Sequence, residues 1–416
     1  MPGAKSRAGS EPAPEPASES PAEAEPPAEA EARAADARAR DVVAYYHHPT
    51  KGPLLREALL PLADRITAAG LTAHIERHWL HGPHLRLRIQ GPPDRADDVT
   101  AAAEHGAEAV RAWIRTHPST GGPDPETLLR EAERAGRAEL IAPPYGPIVE
   151  DNAVRVEPVD LAPLRGLIGP DGTALRTRLL ASGLPALRAG SGFLAAHDDG
   201  AAARVEFAVT VLTLHACAHP EGLTGGHWSY VSHLEDHLLY DDPDGSLRSA
   251  FEARRVRMAD KVGALVRRIV DGRTTEWEQQ WSRWSAQAWR TTEDLFHAGG
   301  DLHGLPLEYR ARAAATGDAA AYVRWNQDIR TDYSEFHRLL RRADPEGSMW
   351  SRPDYLIYRA CTNALYRLLM ICDVRPIERY LAAHLVVGAV PEATGCDWRE
   401  VLDDVIRQVE HQEQPS

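Results

Sequence analysis

A short alternating segment combines arginine and histidine at a spacing that could hold an anion. Residues 71–91 read LTAHIERHW, then LHGP, then HLRLRIQG. Side chains in a strand alternate between two faces, so His84, Arg86 and Arg88 are expected to point the same way. Guanidinium groups bind carboxylates through two parallel hydrogen bonds and keep their charge at any working pH. The segment therefore predicts a β-hairpin whose surface grips an anionic group.

The loop between the two arms decides which residues share that surface. With residues 80–83 as a four-residue loop, Trp79 would face His84 and Arg77 would face Arg86. Two arginines opposite each other repel, at a cost of a few tenths to ~1 kcal/mol, unless an anion sits between them. The alternative is that the arginines pair with Asp or Glu from a facing helix. A register shifted by one residue would weaken this argument.

A second group of polar residues could suggest a metal site. His227, His233, Glu235, Asp236 and His237 lie within eleven positions, and the two later histidines are four residues apart, as in zinc proteases. The order HLEDH, however, places Asp where the inverted zinc motif requires Glu. We predict a polar helix start beside a peptide groove, and no metal.

Composition and the motifs that are missing exclude several functions. The chain has 416 residues with 47 basic and 61 acidic side chains, a formal charge of −14. A chain this acidic is not expected to bind nucleic acid or a membrane surface, because both need a basic face. The glycine-rich signatures of nucleotide sites and the GxSxG signature of serine hydrolases do not occur. We therefore expect no cofactor.

Lysine and cysteine usage adds two expectations. Lysine occurs only at Lys5, Lys51 and Lys261, so almost all positive charge is arginine. A GC-rich genome explains this bias, and so does a preference for bidentate recognition of carboxylates. The four cysteines form no CxxC pair, and neither a signal peptide nor a membrane-spanning run is visible. A cytoplasmic protein is expected.

The elements that would position the hairpin fall into three segments. Residues 1–40 are rich in Pro, Ala and Glu, and a tail of this composition is expected to be disordered. Residues 41–160 predict an α/β part that carries the hairpin, because helical periodicity alternates with short β-rich runs. Residues 161–416 are almost wholly helical in pattern. The expected fold class is α+β, a small mixed sheet packed against a larger helical region of the same catalytic unit.

The hairpin sequence resembles a known family. HIERHWLHGPHLRLRIQG is similar to the small C-terminal domain of lantibiotic dehydratases, which also occurs alone in thiopeptide-type bacteriocin clusters. The preceding YYHHPTKGPLLREALLPLADRI resembles the family's first strand and helix. GGHWSYVSHLEDHLL, at 225–239, resembles its serine-histidine-glutamate helix, and YRACTNALYRLLMICDVRPIERYLAAHLV its asparagine-bearing helix pair. The resemblance extends over most of the chain from Asp41 to about Val390.

The resemblance implies a lyase reaction on a ribosomally made peptide. A partner, the large dehydratase subunit, uses glutamyl-tRNA to load glutamate onto Ser or Thr of the precursor peptide. The small domain then removes the α-proton and expels glutamate, which leaves dehydroalanine or dehydrobutyrine. Histidine suits the base, since its pKa lies near the working pH. The large glutamylating domain is absent from this sequence, so the chain would supply only the elimination step.

Roles for individual residues follow from this resemblance. The catalytic candidates are His84, His233 and, as proton donor, Tyr230. The substrate-binding candidates are Arg77, Arg86, Arg88, Trp79, Ser232 and Asn363. The sequence departs from the family at Arg359, one helical turn before Asn363, where many relatives carry histidine. This departure removes the family's base at that position.

Two other functions remain open at this point. Relatives that form the thiopeptide pyridine ring by a four-plus-two cyclisation share the fold but tend to lose the glutamate-binding arginines. A subunit that only holds precursor peptide for the glutamylating partner is the non-enzymatic alternative. The partners expected are the precursor peptide and the large dehydratase subunit, and a homodimer is compatible with the sequence.

Overall fold

The amino-terminal boundary of the folded chain differs from the prediction. The structure is a computed structural model and describes residues 27–303, 306–326 and 328–412. The first 26 residues of the predicted disordered tail lie outside the described residues. The prediction is wrong for the rest of the tail, because Pro27–Arg38 forms helix α1. The buried Asp36 carboxylate anchors this helix, since it accepts a hydrogen bond from Leu161 N at 2.9 Å and pairs with Arg165 at 2.9 Å.

Four strands form one sheet in the described part of the chain. They are β1 (Arg40–Tyr45), β2 (Thr72–His78), β3 (His84–Gln90) and β4 (Val154–Pro158), in the spatial order β2-β3-β1-β4. The predicted α+β class is confirmed, but the expected mixed sheet is wrong, because every pairing is antiparallel. β1 and β2 do run parallel, but β3 lies between them, so no parallel neighbours occur.

The helices of the first half lie between these strands. After β1 come α2 (Gly52–Leu54), a π-helical turn (Leu55–Leu59) and α3 (Leu60–Ala68). After β3 come a 3-10 turn (Pro93–Arg95), α4 (Ala96–Thr116) and α5 (Pro125–Glu139). Asp124 caps α5, because its side chain accepts a hydrogen bond from Thr127 N.

The second half is helical. It contains α6 (Ala162–Ser182), α7 (Leu184–Ala195), α8 (Ala201–Ala216), α9 (Leu223–Gly226), α10 (Trp228–Asp241), α11 (Ser246–Val270) and α12 (Glu276–His297). It continues with α13 (Pro306–Ala315), α14 (Ala319–Trp325), α15 (Glu335–Ala343), a 3-10 turn (Ser348–Ser351), α16 (Pro353–Ile371), α17 (Pro376–Thr394) and α18 (Trp398–Gln412). Over the ranges described, no helix combines the length and apolarity needed to cross a membrane.

A single apolar core joins the sheet to the helices. One face of the sheet contributes alternate residues such as Ile75, Leu85 and Leu87, all fully buried. The same cluster continues through the second half, where Trp281 and Leu365 are also fully buried. Because one face of the sheet is committed to this core, the polar residues between the apolar ones must point to the other face.

Candidate functional site

The register of the β2–β3 hairpin differs by one residue from the predicted one. His78 pairs with His84, Glu76 with Arg86 and His74 with Arg88. The turn contains five residues, 79–83, instead of four. His81 and Gly82 both have positive φ, at 62° and 115°, and this left-handed stretch accommodates the extra residue. The prediction that Arg77 faces Arg86 is therefore wrong.

The corrected register places six polar residues on the second face of the sheet. Arg86 lies opposite Glu76, and not opposite another arginine. Arg77 points to the apolar face, and Trp79 belongs to the turn, so neither joins this surface as predicted. The residues that share the polar face are His74, Glu76, His78, His84, Arg86 and Arg88.

Arg88 forms a buried ion pair within the sheet. Its Nε and Nη2 donate to the two carboxylate oxygens of Asp41, at 2.9 and 2.7 Å, and its side chain is 3% exposed. Burial opposes the charge of Arg88, but the bonds to Asp41 outweigh burial and raise its pKa. Asp41 lies directly across from Arg88 in β1. Arg88 therefore forms a structural ion pair, which was the alternative to anion binding. Its partner lies on a neighbouring strand and not on a facing helix.

Arg77 connects the hairpin to the helical half. Its Nη1 donates to the Asp373 carboxylate and, at 3.2 Å, to the carbonyl oxygen of Met370. Both acceptors lie at the carboxyl end of α16. This ion pair fixes the end of β2 against that helix.

Glu76, the residue opposite Arg86, is neutralised from another direction. Arg176 of α6 binds both carboxylate oxygens of Glu76, at 2.9 and 3.0 Å, and His74 Nε2 lies 3.1 Å from one of them. Burial raises the pKa of Glu76, but Arg176, His74 and Arg88 outweigh it and hold the pKa well below its usual range. Glu76 is thus a permanent carboxylate whose charge is balanced without Arg86.

Arg86 is the arginine of the hairpin that retains unused hydrogen-bonding capacity. Its Nε is buried and has no hydrogen-bond partner, and its Nη1 lies 3.7 Å from Asp41. Its Nη2 lies 3.4 Å from His84 Nε2, and its side chain is 22% exposed. Since Asp41 is already bound by Arg88, an external anion has room to bind Arg86.

The two histidines beside Arg86 are held in the neutral form. His84 Nδ1 lies 2.9 Å from the carbonyl oxygen of Gly82, which requires a proton on Nδ1 and leaves Nε2 as an acceptor. Burial and then the charge of Arg86 lower the pKa of His84 to about 3. Burial and Arg86 also hold the pKa of His78 well below its usual range, and its ring stacks on His84 at 5.8 Å. Both rings are therefore neutral, and Nε2 of His84 accepts a long hydrogen bond from Arg86.

Three helices bring a second set of polar residues toward this surface. His233 of α10 lies with Nδ1 3.1 Å from the hydroxyl of Tyr366 in α16. The guanidinium of Arg379, in α17, stands 4.2 Å from the centre of the Tyr366 ring. Arg367 of α16 has the carboxylate of Glu139 at 3.6 Å.

Electrostatic coupling indicates that residues of these helices lie near the hairpin. The charge of Arg367 lowers the pKa of His78, and the charge of Arg379 lowers the pKa of both Arg367 and His233. Burial is the largest cause of the shift in each case, yet Arg367 keeps 39% of its side-chain surface exposed. We call this cluster of polar side chains the arginine recess, formed by His78, Arg86, His233, Tyr366, Arg367 and Arg379.

The recess contains two of the predicted site residues, Arg86 and His233, and His84 lies beside it. Asn363 is exposed on α16, one helical turn before Arg367. Ser232 bonds His337 Nε2 at 3.0 Å, and the indole of Trp79 donates to Glu139 at 3.0 Å, so both are held by neighbouring side chains. These contacts place Trp79 close to Arg367, because Glu139 is their common partner.

Tyr230 lies in the core, where other core groups engage its hydroxyl. Its side chain is fully buried, and its hydroxyl donates to the carbonyl oxygen of Leu212 at 2.8 Å. Burial raises its pKa well above the usual value. The hydroxyl of Tyr366, which lies 3.1 Å from His233 Nδ1, is a second candidate for a proton donor.

Sequence reasoning missed Tyr366, Arg367 and Arg379. All three lie in the closing run that carried the family resemblance. Arg359, Asn363 and Arg367 follow at intervals of four, so they share one face of α16. This spacing could have indicated Arg367, because Asn363 is a predicted site residue and Arg367 lies one turn further along the same face.

The histidine cluster of α10 is engaged in other contacts. His237 Nδ1 lies 2.9 Å from Asp241, and its ring stacks on Tyr380 at 3.8 Å. Asp236 is held by Arg324 at 2.7 Å and Arg330 at 2.6 Å. Within the described ranges no group of three or more metal-ligating side chains is close enough to hold an ion.

The hairpin and its flanking elements define the class of protein. Residues 41–143 match the family described as the C-terminal part of lantibiotic biosynthesis dehydratases. The match includes β1, the hairpin, α4 and α5. The predicted resemblance is therefore confirmed over this segment.

Solved structures extend the similarity to most of the chain. The pyridine synthase TbtD from thiomuracin biosynthesis aligns with a TM-score of 0.62 and 20% identity, over 86% of this chain and 99% of that chain. TsrL aligns with a TM-score of 0.56 and 17% identity, over 91% of this chain and 99% of that chain. At these identities the likeness establishes a shared fold. No curated protein matches the sequence.

Proposed function

We propose that the chain tailors a ribosomally made peptide and eliminates glutamate from glutamylated Ser or Thr. The observation that carries the proposal is the arginine recess, where Arg86 and Arg367 have only long carboxylate contacts, at 3.7 and 3.6 Å, and Arg379 lies over the ring of Tyr366. The family match of residues 41–143 supports the same class of substrate. The proposal places the reaction in the cytoplasm, beside a glutamylating partner that uses glutamyl-tRNA.

The charge balance of the reaction suits this recess. Removal of the α-proton supplies the electron pair of the new Cα=Cβ bond, the Cβ–O bond breaks, and glutamate leaves with a second carboxylate. The leaving group therefore gains one negative charge during the step. Fixed guanidinium groups bind the departing dicarboxylate more strongly than they bind the ester. Because this charge develops in the transition state, the stronger binding lowers the barrier of the elimination step.

The paired side chains of His233 and Tyr366 are suited to the proton transfer. Burial and then the charge of Arg379 lower the pKa of His233 to about 4, so its ring is neutral near pH 7 but is a weaker base than an ordinary histidine. Burial raises the pKa of Tyr366, so its hydroxyl stays protonated. His84 keeps its predicted place beside Arg86, as a neutral acceptor adjoining the anion.

Cyclisation to a pyridine is the second candidate. The fold similarity to the thiomuracin pyridine synthase covers nearly all of that protein, and this is the observation that favours it. Two of the three arginines predicted to hold glutamate, Arg77 and Arg88, are committed to Asp373 and Asp41. The assignment to elimination therefore depends on Arg86, Arg367 and Arg379.

Mass spectrometry of a glutamylated peptide tests the proposal. The purified protein is incubated with precursor peptide that carries glutamate esters on Ser or Thr, and the peptide mass is followed. We expect loss of glutamate with formation of the dehydrated peptide, abolished by Arg86→Gln. Arg130→Gln, an exposed arginine of α5, serves as the matched control and should retain full activity.

An unchanged ester would overturn the elimination. The same protein is then offered fully dehydrated peptide, and a mass change with pyridine absorbance would assign the cyclase. If the protein binds either peptide tightly but converts neither, the remaining assignment is a subunit that only holds the precursor peptide. Adding the glutamylating partner distinguishes a missing subunit from a missing activity.

A further inference from the structure

A cavity lies behind the hairpin turn and is separate from the arginine recess. It has a volume of about 270 Å³ and is lined by the loop after β1, by Pro83 of the turn and by the α16–α17 connection. Arg77 also lines it, from the face of β2 opposite to His78. The volume lies just below the roughly 300–1,000 Å³ typical of ligand pockets, so it suits one small group.

Lys51 lines this cavity as a buried cation without an ion pair. Lys51 is 1% exposed, and its Nζ donates a hydrogen bond to the carbonyl oxygen of His48 at 2.9 Å. No carboxylate of the described residues pairs with Nζ, whereas the backbone nitrogen of Lys51 binds Asp373 at 2.7 Å. An ammonium group has three donors, so two remain unused. Burial and then the charge of Arg77 lower the pKa of Lys51 to about 7, so the amine is only partly protonated near neutral pH, and an anion beside it would stabilise the charged form.

His47 adds a second unsatisfied group to the same wall. It is 7% exposed, and its Nε2 is buried without a hydrogen-bond partner. Its backbone nitrogen is fixed by Asp151 at 2.8 Å, so the ring is held in place. Two buried polar side chains with spare hydrogen-bonding capacity therefore adjoin one small cavity.

Basic side chains outnumber acidic ones in the lining of the cavity, with Lys51, Arg77, Arg204 and Arg375 against Glu131 and Asp373. Arg204 and Arg375 both bind the same carboxylate, Glu378. Arg375 is the accessible one of the two, because its side chain is 61% exposed. An anion in the cavity would meet Lys51 on one side and Arg375 on the other.

We propose that this cavity binds a single carboxylate group through the Nζ of Lys51 and the guanidinium of Arg375. A monoanion fits better than a phosphate, because Asp373 and Glu131 also line the cavity and would repel a second negative charge. The carboxylate can come from an acidic side chain of a peptide or from a free small acid. The inference does not depend on the chemistry of the arginine recess.

The scarcity of lysine makes the test direct. Protein labelled with ¹³C-lysine gives three Cε signals, from Lys5, Lys51 and Lys261. The signal that disappears in the Lys51→Arg variant is the signal of Lys51. The probes are acetate, the α-amide of N-acetyl-glutamate, and N-acetyl-glutamine amide as the neutral isostere. We expect both carboxylates to move the Lys51 signal to saturation. The neutral amide should leave it in place, and Lys261, whose Nζ already pairs with Glu206, should not respond.

The outcomes separate the two sources and can overturn the site. Movement with both acids supports a peptide side chain, and movement with acetate alone supports a free small acid. Arg375→Gln should weaken binding roughly 10-fold, the value of one charge-assisted contact. A Lys51 signal unmoved by about 10 mM of either acid, enough to fill nine-tenths of a 1 mM site, would overturn the proposal. Equal shifts at Lys51 and Lys261, or unchanged binding in Arg375→Gln, would overturn it as well.

Discussion

The hydroxyl of Tyr366 lies 3.1 Å from Nδ1 of His233, and the two residues come from different helices. The guanidinium of Arg379 lies over the Tyr366 ring and also lowers the pKa of His233. One cation thus disfavours a proton on the imidazole while the buried phenol keeps its own. Before the reaction both groups are therefore neutral. His233 can act as the base, and Tyr366 can act as the acid.

Loss of the Tyr366 hydroxyl should slow turnover with little effect on folding. We expect Tyr366→Phe to reduce the elimination rate about 100-fold, since general acid–base groups contribute roughly 10²–10⁴-fold. The ring and its contact with Arg379 are retained, so the free energy of unfolding should change by less than about 1 kcal/mol. The measurement is peptide mass against time, with urea unfolding in parallel. Tyr322→Phe in α14 is the control, and a Tyr366→Phe protein at full rate would exclude the pair from the mechanism.

Arg367 should contribute to substrate binding more than to stability. Its carboxylate neighbour, Glu139, is 3.6 Å away, which is long for a strong ion pair. We expect Arg367→Gln to raise KM for the glutamylated peptide at least about 10-fold, because a charge-assisted contact contributes roughly 1.5–3 kcal/mol. The free energy of unfolding should stay within about 0.5 kcal/mol of wild type.

Two variants sharpen this test. Arg188→Gln removes an exposed arginine that pairs with Asp64, and it should leave KM unchanged. Arg367→Lys keeps the charge but loses the fork, so it should recover part of the affinity. If Arg367→Gln lowers stability and leaves KM as it was, the residue is structural and the recess is not the binding site.

The alternating pattern HLRLR predicted β3 and the shared face of His84, Arg86 and Arg88 correctly. Pairing with β2 was wrong by one residue, because the turn includes His81 in a left-handed conformation, which non-glycine residues seldom adopt. Since side chains alternate with period two, this single residue moved Arg77 to the opposite face. Loop length, more than strand pattern, therefore decided which arginines could meet a ligand.

The other half of the recess could not be located from local pattern. His233 is about 150 residues from the hairpin, and Tyr366, Arg367 and Arg379 are farther still. Helical periodicity shows which residues share a face of α16 but does not show what that face opposes. That placement depends on long-range contacts, including the ion pairs of Arg77 with Asp373 and of Glu76 with Arg176.

The buried pair of Arg88 and Asp41 should be essential for stability. Removing one partner leaves an uncompensated buried charge, and the expected loss is about 3–5 kcal/mol. We expect Asp41→Asn to lower the urea midpoint accordingly. Replacing both residues, as in Asp41→Asn with Arg88→Met, should restore part of the loss, because no buried charge then remains unpaired. Glu126→Gln, which breaks the exposed pair with Arg130, is the control and should cost less than about 0.5 kcal/mol.

His215 should make stability depend on pH below neutrality. It lies in the core between Ser285 Oγ at 3.1 Å and Thr362 Oγ1 at 3.3 Å, and burial lowers its pKa to about 3. The unfolded chain binds a proton near pH 6.5 while the folded chain does not, so this contribution is fully present above pH 6.5 and is lost as pH falls toward 3. Between about pH 8 and pH 5 the expected loss from this residue is about 2 kcal/mol. Urea unfolding at each pH should therefore show a shallower pH dependence for His215→Gln than for wild type, while His303→Gln, an exposed histidine, should follow the wild-type curve. Parallel curves for wild type and His215→Gln would mean that His215 takes up its proton without unfolding the core.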